Sequence, residues 1–209
     1  RELQLPRELH WVPLETRMPN PEGKGEVKML DLVVNSLRMR PDRIIMGEVR
    51  RKAEAEVLFE AMHTGHSVYA TFHANNVRET IDRLTSPPIE VPKLTLSALG
   101  LVLVQSRNRR TGKRRSLQIA EMLQDGTYNV LMQLDVNRDR LVHKNDSKSM
   151  VETLELYTGM SKKQIEEDIN NKIDVLKHLV KNGINDVNEV GSIFRKYYNH
   201  KFREKEDKQ

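Results

Sequence analysis

The 209-residue chain contains no cysteine, so disulfides, thiolate metal sites and a cysteine nucleophile are all excluded. Aromatic residues make up only 5% against 37% hydrophobic residues in all, so any core must be aliphatic. No apolar run approaches the ~20 residues that cross a bilayer. The most apolar stretch, Leu94 to Val104, is interrupted by Thr95, Ser97 and Gly100 and reads as a buried element. The Gly-x-x-x-x-Gly-Lys-Ser/Thr loop that cradles phosphates on backbone N–H groups is also missing. Gly23-Lys24-Gly25 and Gly112-Lys113 do not satisfy it. Arg1 is followed by Glu2, not by a basic-then-apolar leader.

Charge, by contrast, is plentiful. Charged residues reach 31%, mean hydropathy is −0.65 and the net charge is +5, which predicts a soluble chain with an ionic surface. A chain of this length can bury about 70% of its unfolded surface, enough for a real core. The positive charge is uneven: Arg107, Arg109, Arg110, Lys113, Arg114 and Arg115 crowd one short stretch. That stretch reads as a solvated hairpin or as a docking surface for an anionic membrane face. Without interleaved aromatics it is a poor nucleic-acid platform.

The apolar spacing divides the chain into elements. Pro6, Pro13, Pro19 and Pro21 limit any early helix, and 10–14 could form a short edge strand. A helix is expected over 29–37, ended by Pro41, then a buried strand at 43–47. A second helix over 52–62 should stop at Gly65, followed by a strand at 67–72 and a helix at 77–84. Strand, helix, strand, helix in this order argues for a parallel α/β sheet. Residues 94–104 should turn from helix into strand, and 105–143 should form a β-meander with a turn at Thr111-Gly112. From about 149 the texture is helical, with Ser161 and Gln164 forming a capping box and Gly183 a stop. The expected organisation is therefore a partial α/β domain over 1–147 and an all-α extension over 148–209.

Two segments carry chemistry. In Arg38-Met39-Arg40-Pro41-Asp42-Arg43-Ile44-Ile45-Met46-Gly47-Glu48-Val49-Arg50 an aliphatic strand ends on a carboxylate. Nucleotide hydrolases place such an acid at the carboxyl edge of a sheet, where it can orient a Mg²⁺ shell or an attacking water. The flanking arginines could neutralise charge on a phosphoryl group. In Thr64-Gly65-His66 through Thr71-Phe72-His73-Ala74-Asn75, a histidine lies at each end of a short strand. His73 should then share the carboxyl edge with Glu48, and its N–H could sense a γ-phosphate.

Together, Arg-Met-Arg-Pro-Asp-Arg-Ile-Ile-x-Gly-Glu-Val-Arg, Thr-Gly-His and Thr-x-His-Ala-Asn resemble the secretion-ATPase superfamily of secretion, pilus and archaellum motors. The wording is most similar to the tight-adherence pilus branch and its archaeal relatives. The resemblance implies a RecA-like α/β fold, ATP and Mg²⁺ as cofactors, and a role at the cytoplasmic side of the cell membrane. It also implies a homo-oligomer, a hexameric ring, with an integral-membrane platform protein as partner. Nucleic acid is not expected.

Residue by residue, Glu48 matches the glutamate of the family's atypical Walker B motif, acting on the metal through its water shell. His73 matches the signature histidine of the His box, and His66 its companion. Glu2 matches the last acid of the Asp box, and Arg17 an arginine proposed to reach nucleotide across a subunit boundary. Arg38, Arg40 and Arg50 are further phosphate-sensing candidates. In the family the P-loop lies upstream of the Asp box, so truncation is the expected reason for its absence here. Two rivals remain: a DNA-handling RecA-like ATPase, marked by steeply salt-dependent nucleic-acid binding, and a non-catalytic assembly or docking domain, marked by a folded monomer without nucleotide affinity.

Overall fold

The computed structural model describes residues 4–206, with side chains described through residue 200. They form two compact units, one of residues 14–157 and one of residues 4–13 with 158–206.

In the larger unit, α1 (Met29–Leu37) presents Val33 inward, and Asp31 accepts the N–H of Lys28 at 3.1 Å to start it. The residue preceding Pro41, Arg40, leaves the helical region with φ +51°, which ends any continuation. β1 (Arg43–Met46) follows, with Ile44 and Met46 buried and Arg43 and Ile45 outward. α2 (Lys52–His63) is launched by Glu54, whose carboxylate accepts the N–H groups of Arg50 and Arg51 at 3.0 and 3.1 Å. It closes at Gly65, whose φ of +93° is cheap only for glycine and returns the N–H to Met62 O at 3.1 Å.

β2 (Ser67–Ala70) pairs parallel with β1, Ile44 beside Val68 and Ile45 beside Tyr69. Ile44, Met46, Val33, Leu58 and Ala61 form one aliphatic cluster under this pair. Burying each larger member contributes about 1.5–3 kcal/mol relative to exposure. Among the described residues the parallel sheet has only these two strands, so its other face leaves Ile45 and Tyr69 exposed. α3 (Val77–Thr85) starts on Asn76, whose Oδ1 accepts the Glu79 N–H at 2.8 Å.

A short 3-10 helix at Lys93–Ala98 leads into an antiparallel meander in sequence order: β3 (Leu101–Arg107), β4 (Arg114–Met122), β5 (Tyr128–Asp135) and β6 (Arg140–His143). Bulges interrupt the register at Val104/Gln105 and at Ile119/Ala120. The β4–β5 turn requires glycine at 126, because φ is +73° and a Cβ there would overlap the backbone carbonyl of Lys93. Ala55, Phe59, Ile81, Leu84, Leu96 and Met122 pack α2, α3, the 3-10 helix and β4 into a common core.

α4 (Ser149–Thr158) is held by an acid on β4. Glu121 is fully buried and accepts from Asn129 Nδ2 at 2.8 Å, Ser147 Oγ at 2.7 Å, and the N–H groups of Lys148, Ser149 and Met150 at 2.7–3.1 Å. Burial pushes its carboxyl up, but the hydrogen bonds from Asn129, Lys148, Ser147 and Met150 outweigh it and hold the pKa at about 2. The compact unit consequently runs to Tyr157, ten residues past the boundary expected near 147.

The smaller unit contains α5 (Lys162–Lys181) and α6 (Val187–Glu206). Ser161 and Gln164 form the expected capping box, and Gly183, at φ +65°, follows the Asn182 cap. The N-terminal stretch joins this unit: the Arg7 N–H donates to Asn188 at 3.0 Å, and Glu8 pairs with Arg195 at 2.8 Å. Residues 10–14, expected as an edge strand, are irregular; the bridge in this part of the chain joins Arg17 and Val27. Proline at 13 removes a donor, which leaves a strand there without a regular ladder.

Candidate functional site

Parallel strands of equal length in register bring both carboxyl ends to the same edge. The pairing continues past the strands, with the Val49 N–H donating to Thr71 O at 3.1 Å and Thr71 Oγ1 donating to Gly47 O. Glu48 and His73 are thereby brought face to face: His73 Nε2 lies 3.3 Å from Glu48 Oε1. Arg50 takes the other oxygen, with Nε and Nη2 at 2.7 and 2.5 Å from Oε2.

Hydrogen bonding from Arg50 holds the Glu48 carboxyl below its ordinary value. Partial burial opposes this, and the charges of Arg50 and His73 reinforce it. Glu48 is therefore an anion at neutral pH, aimed by two cationic or polar neighbours. Its side chain is 22% exposed and that of His73 81%, so the imidazole is the group open to a ligand.

The pair lines a recess of about 400 Å³ together with Arg50, Phe72, Arg83 and Pro88. Arg83 was not singled out from the sequence. Its guanidinium sits 5.4 Å from the centre of the Phe72 ring, donates to the His73 carbonyl, and pairs with Glu79 at 3.7 Å. The signal was present: Arg83 and Glu79 are one turn apart on the helix that begins just after His73. Glu79 also accepts from Asn75 through backbone and side chain at 3.0 and 2.8 Å, which holds its carboxyl below the ordinary value. The His73–Asn75 loop is thus tied to α3 from both sides.

The other residues named from the sequence lie elsewhere. His66 precedes β2 at its opposite end, with Nδ1 3.3 Å from Thr64 Oγ1 and from Ala61 O, where it finishes α2. Arg17 donates through Nε to Gly25 O at 2.6 Å and lies along its own loop. Arg38 caps α1, its N–H bonded to Asn35 O at 3.1 Å, and Arg40 occupies the exposed turn after it. Glu2 lies outside the described residues. Of the named cations, Arg50 is the one brought to Glu48.

No group of three or more His, Cys, Asp or Glu side chains suited to a metal occurs among the described residues. A single carboxylate beside cationic groups suits Mg²⁺ held largely by waters and phosphate oxygens.

A carboxylate and an imidazole thus meet at the carboxyl edge of the parallel strands, with Arg50 and Arg83 beside them. The chain belongs to the family of type II/IV secretion system proteins, whose family model matches residues 5–192. It is 34% identical over 201 residues to an uncharacterized protein of Methanocaldococcus jannaschii, covering 90% of this chain and 36% of that protein. It is 37% identical over 87 residues to the type IV pilus assembly ATPase PilB of Acinetobacter baylyi, covering 41% of this chain and 15% of the relative. Among solved structures, the Legionella pneumophila ATPase DotB aligns with TM-score 0.39 and 29% identity over 46% of this chain and 28% of that one. The chain thus spans about a third of the first relative and less of the other two. No helix among the described residues is long and apolar enough to cross a membrane.

Proposed function

We propose that this chain is part of an ATP-hydrolysing motor for type II/IV secretion or pilus assembly, and that Glu48 and His73 belong to its catalytic edge. The observation that carries the reading is the 3.3 Å pairing of Glu48 with His73 in an arginine-lined recess. Glu48, anionic and fixed by Arg50, accepts a hydrogen bond from the attacking water or from a water of the metal shell. His73, mostly exposed and backed by Arg83 through its carbonyl, offers ring N–H to an incoming phosphate oxygen.

Mg²⁺, when bound with ATP, neutralises charge on the β- and γ-phosphate oxygens. The phosphate cradle itself must come from a P-loop that these 209 residues do not contain. Arg17, Arg38 and Arg40, all exposed, are the arginines this reading assigns to a neighbouring copy in an assembled ring. Glu2, outside the described residues, is assigned in this reading the part of an assisting, polarising acid. The RecA-like architecture, the hexamer, the membrane platform and the position at the cytoplasmic face of the membrane belong to this reading.

The test is Mg²⁺-dependent ATP turnover by a protein carrying this chain together with a P-loop segment, beside its Glu48→Gln variant. A loss of at least ~10²-fold is expected, as for removal of a key catalytic group. Equal rates would make Glu48 structural. A second reading has its own support: without a P-loop motif, the 209 residues by themselves act as an assembly or docking domain. Isothermal titration of the chain alone with Mg-ATP checks this, and no heat of binding is expected.

A further inference from the structure

The antiparallel meander has one strongly cationic end. Because β3 to β6 run up, down, up and down, the β3–β4 and β5–β6 turns emerge side by side. Asp139 in the second turn reaches Arg115 at 2.7 Å through both Nε and Nη2, and Lys113 at 3.4 Å, which fixes the two turns against each other. Hydrogen bonding from Arg115 holds the Asp139 carboxyl at about 2, so this clamp persists through the physiological range. Asn108 closes the first turn, its Oδ1 accepting the N–H groups of Arg110 and Thr111 at 3.0 Å each.

The two turns and the strand ends beside them, 107–115 and 135–140, carry eight cationic side chains against two acids. Both acids are engaged, Asp139 as above and Asp135 by Arg138 at 3.6 Å. Among the described residues, Arg107, Arg109, Arg110, Arg114 and Arg140 are exposed and take part in no ion pair of the meander. A solvated surface intersperses its signs; this end does not. At the tip of the second turn Val136 stands 77% exposed, an apolar side chain among the cations.

We propose that this end of the meander docks on an anionic phospholipid surface, with the arginines on headgroup phosphates and Val136 entering the interface. Arginine matches phosphate by its bidentate fork, and each cation near an anionic leaflet adds about fivefold to binding. Interfacial binding scales with electrostatic attraction to anionic lipid plus buried apolar area, and the arginines supply the first and Val136 a small share of the second. No Phe, Tyr or Trp occurs in 104–117 or 134–142, so bases of a single-stranded nucleic acid would find no ring to stack on. This docking surface rests on the membrane position proposed above, but vesicle binding needs no nucleotide turnover, so its failure would leave the Glu48→Gln test untouched.

The experiment is co-sedimentation of the 209-residue chain with large vesicles, either of phosphatidylcholine alone or with a third phosphatidylglycerol, at about 0.1 M salt. Binding to the anionic vesicles only is expected, falling as salt shortens the range of the field. Combining Arg107→Gln, Arg109→Gln, Arg110→Gln and Arg114→Gln should weaken it at least a hundredfold, with the circular dichroism melt unchanged. Val136→Asp, which spares every arginine, should weaken it several-fold. A charge-matched control, Lys162→Gln, Lys163→Gln, Lys181→Gln and Lys196→Gln, should stay within a few-fold of the parent. Equal binding to both vesicles, an unaffected arginine variant, or an equal loss in the control would each overturn the proposal. So would duplex DNA displacing the chain from vesicles at lower concentration than phosphatidylglycerol itself, which would make nucleic acid the partner.

Discussion

Two glutamates of this chain sit at strand ends or in strands, bind several donors, and are held anionic, yet they are built for opposite ends. Glu121 is sealed: five donors converge on it, three of them backbone N–H groups at the start of α4, and no part of it meets solvent. Glu48 is open: its partners are two exposed side chains, Arg50 and His73, and it borders a recess. A carboxylate satisfied by backbone is committed to structure, because the donors cannot leave. A carboxylate satisfied by exposed side chains can trade them for water or a ligand. The difference lies in the donors, not in the residue type.

The comparison can be broken most severely at Glu121. Glu121→Leu should cost about 3–5 kcal/mol in urea unfolding, because it leaves buried donors without an acceptor. Acid should do part of the same. The folded pKa of Glu121 is depressed to about 2 from 4.5, so its stabilisation is complete above about pH 4.5. It is lost as pH falls from there towards 2, by about 3 kcal/mol in all, and the loss levels off below. Urea midpoints followed across that window, beside Glu121→Gln, which cannot titrate, measure it. Asn129→Ala, which removes one donor of the five and its second bond to Asp146 O, should cost about 1–1.5 kcal/mol. At the small end, Glu48→Gln should leave the urea midpoint where it is while abolishing most turnover in the nucleotide-competent protein. A large stability loss from Glu48→Gln would erase the contrast between the two acids.

The sequence exposed one acid and hid the other for a physical reason. Glu48 follows a short aliphatic strand, and His73 follows the next, so parallel pairing alone puts them at one edge. The arithmetic is local, and helix and strand periods supply it. Glu121 reads as an ordinary polar residue in a strand, because four of its five donors lie 26 to 29 positions downstream and three of those are backbone N–H groups. No side-chain pattern announces them. Arg83 falls between: its pairing with Glu79 is periodic, but its seat over Phe72 follows from how α3 returns to the strand ends.

The elements themselves were legible wherever a period of 3.6 or 2 ran long enough, as in α5 with its capping box and in the meander with its turn at Gly112. The stretch 10–14 had aromatic and β-branched residues but joins no strand or bridge among the described residues. His66 and Arg17 show the same limit from the other side: their chemistry fitted a site, but their local hydrogen bonds to Ala61 and Gly25 fix them to neighbouring loop and helix ends.

The seat of α4 on Glu121 also sets where tension would travel. A pull on the chain beyond Thr158 reaches α4 first, and the helix is anchored to the middle of a four-stranded sheet by hydrogen bonds that share the load. Residues 144–148, which would otherwise peel away one by one, are shielded behind that anchor. In mechanical terms the first strong brace below α4 is the Glu121 carboxylate, and the loop after the last strand takes load only once those bonds give way.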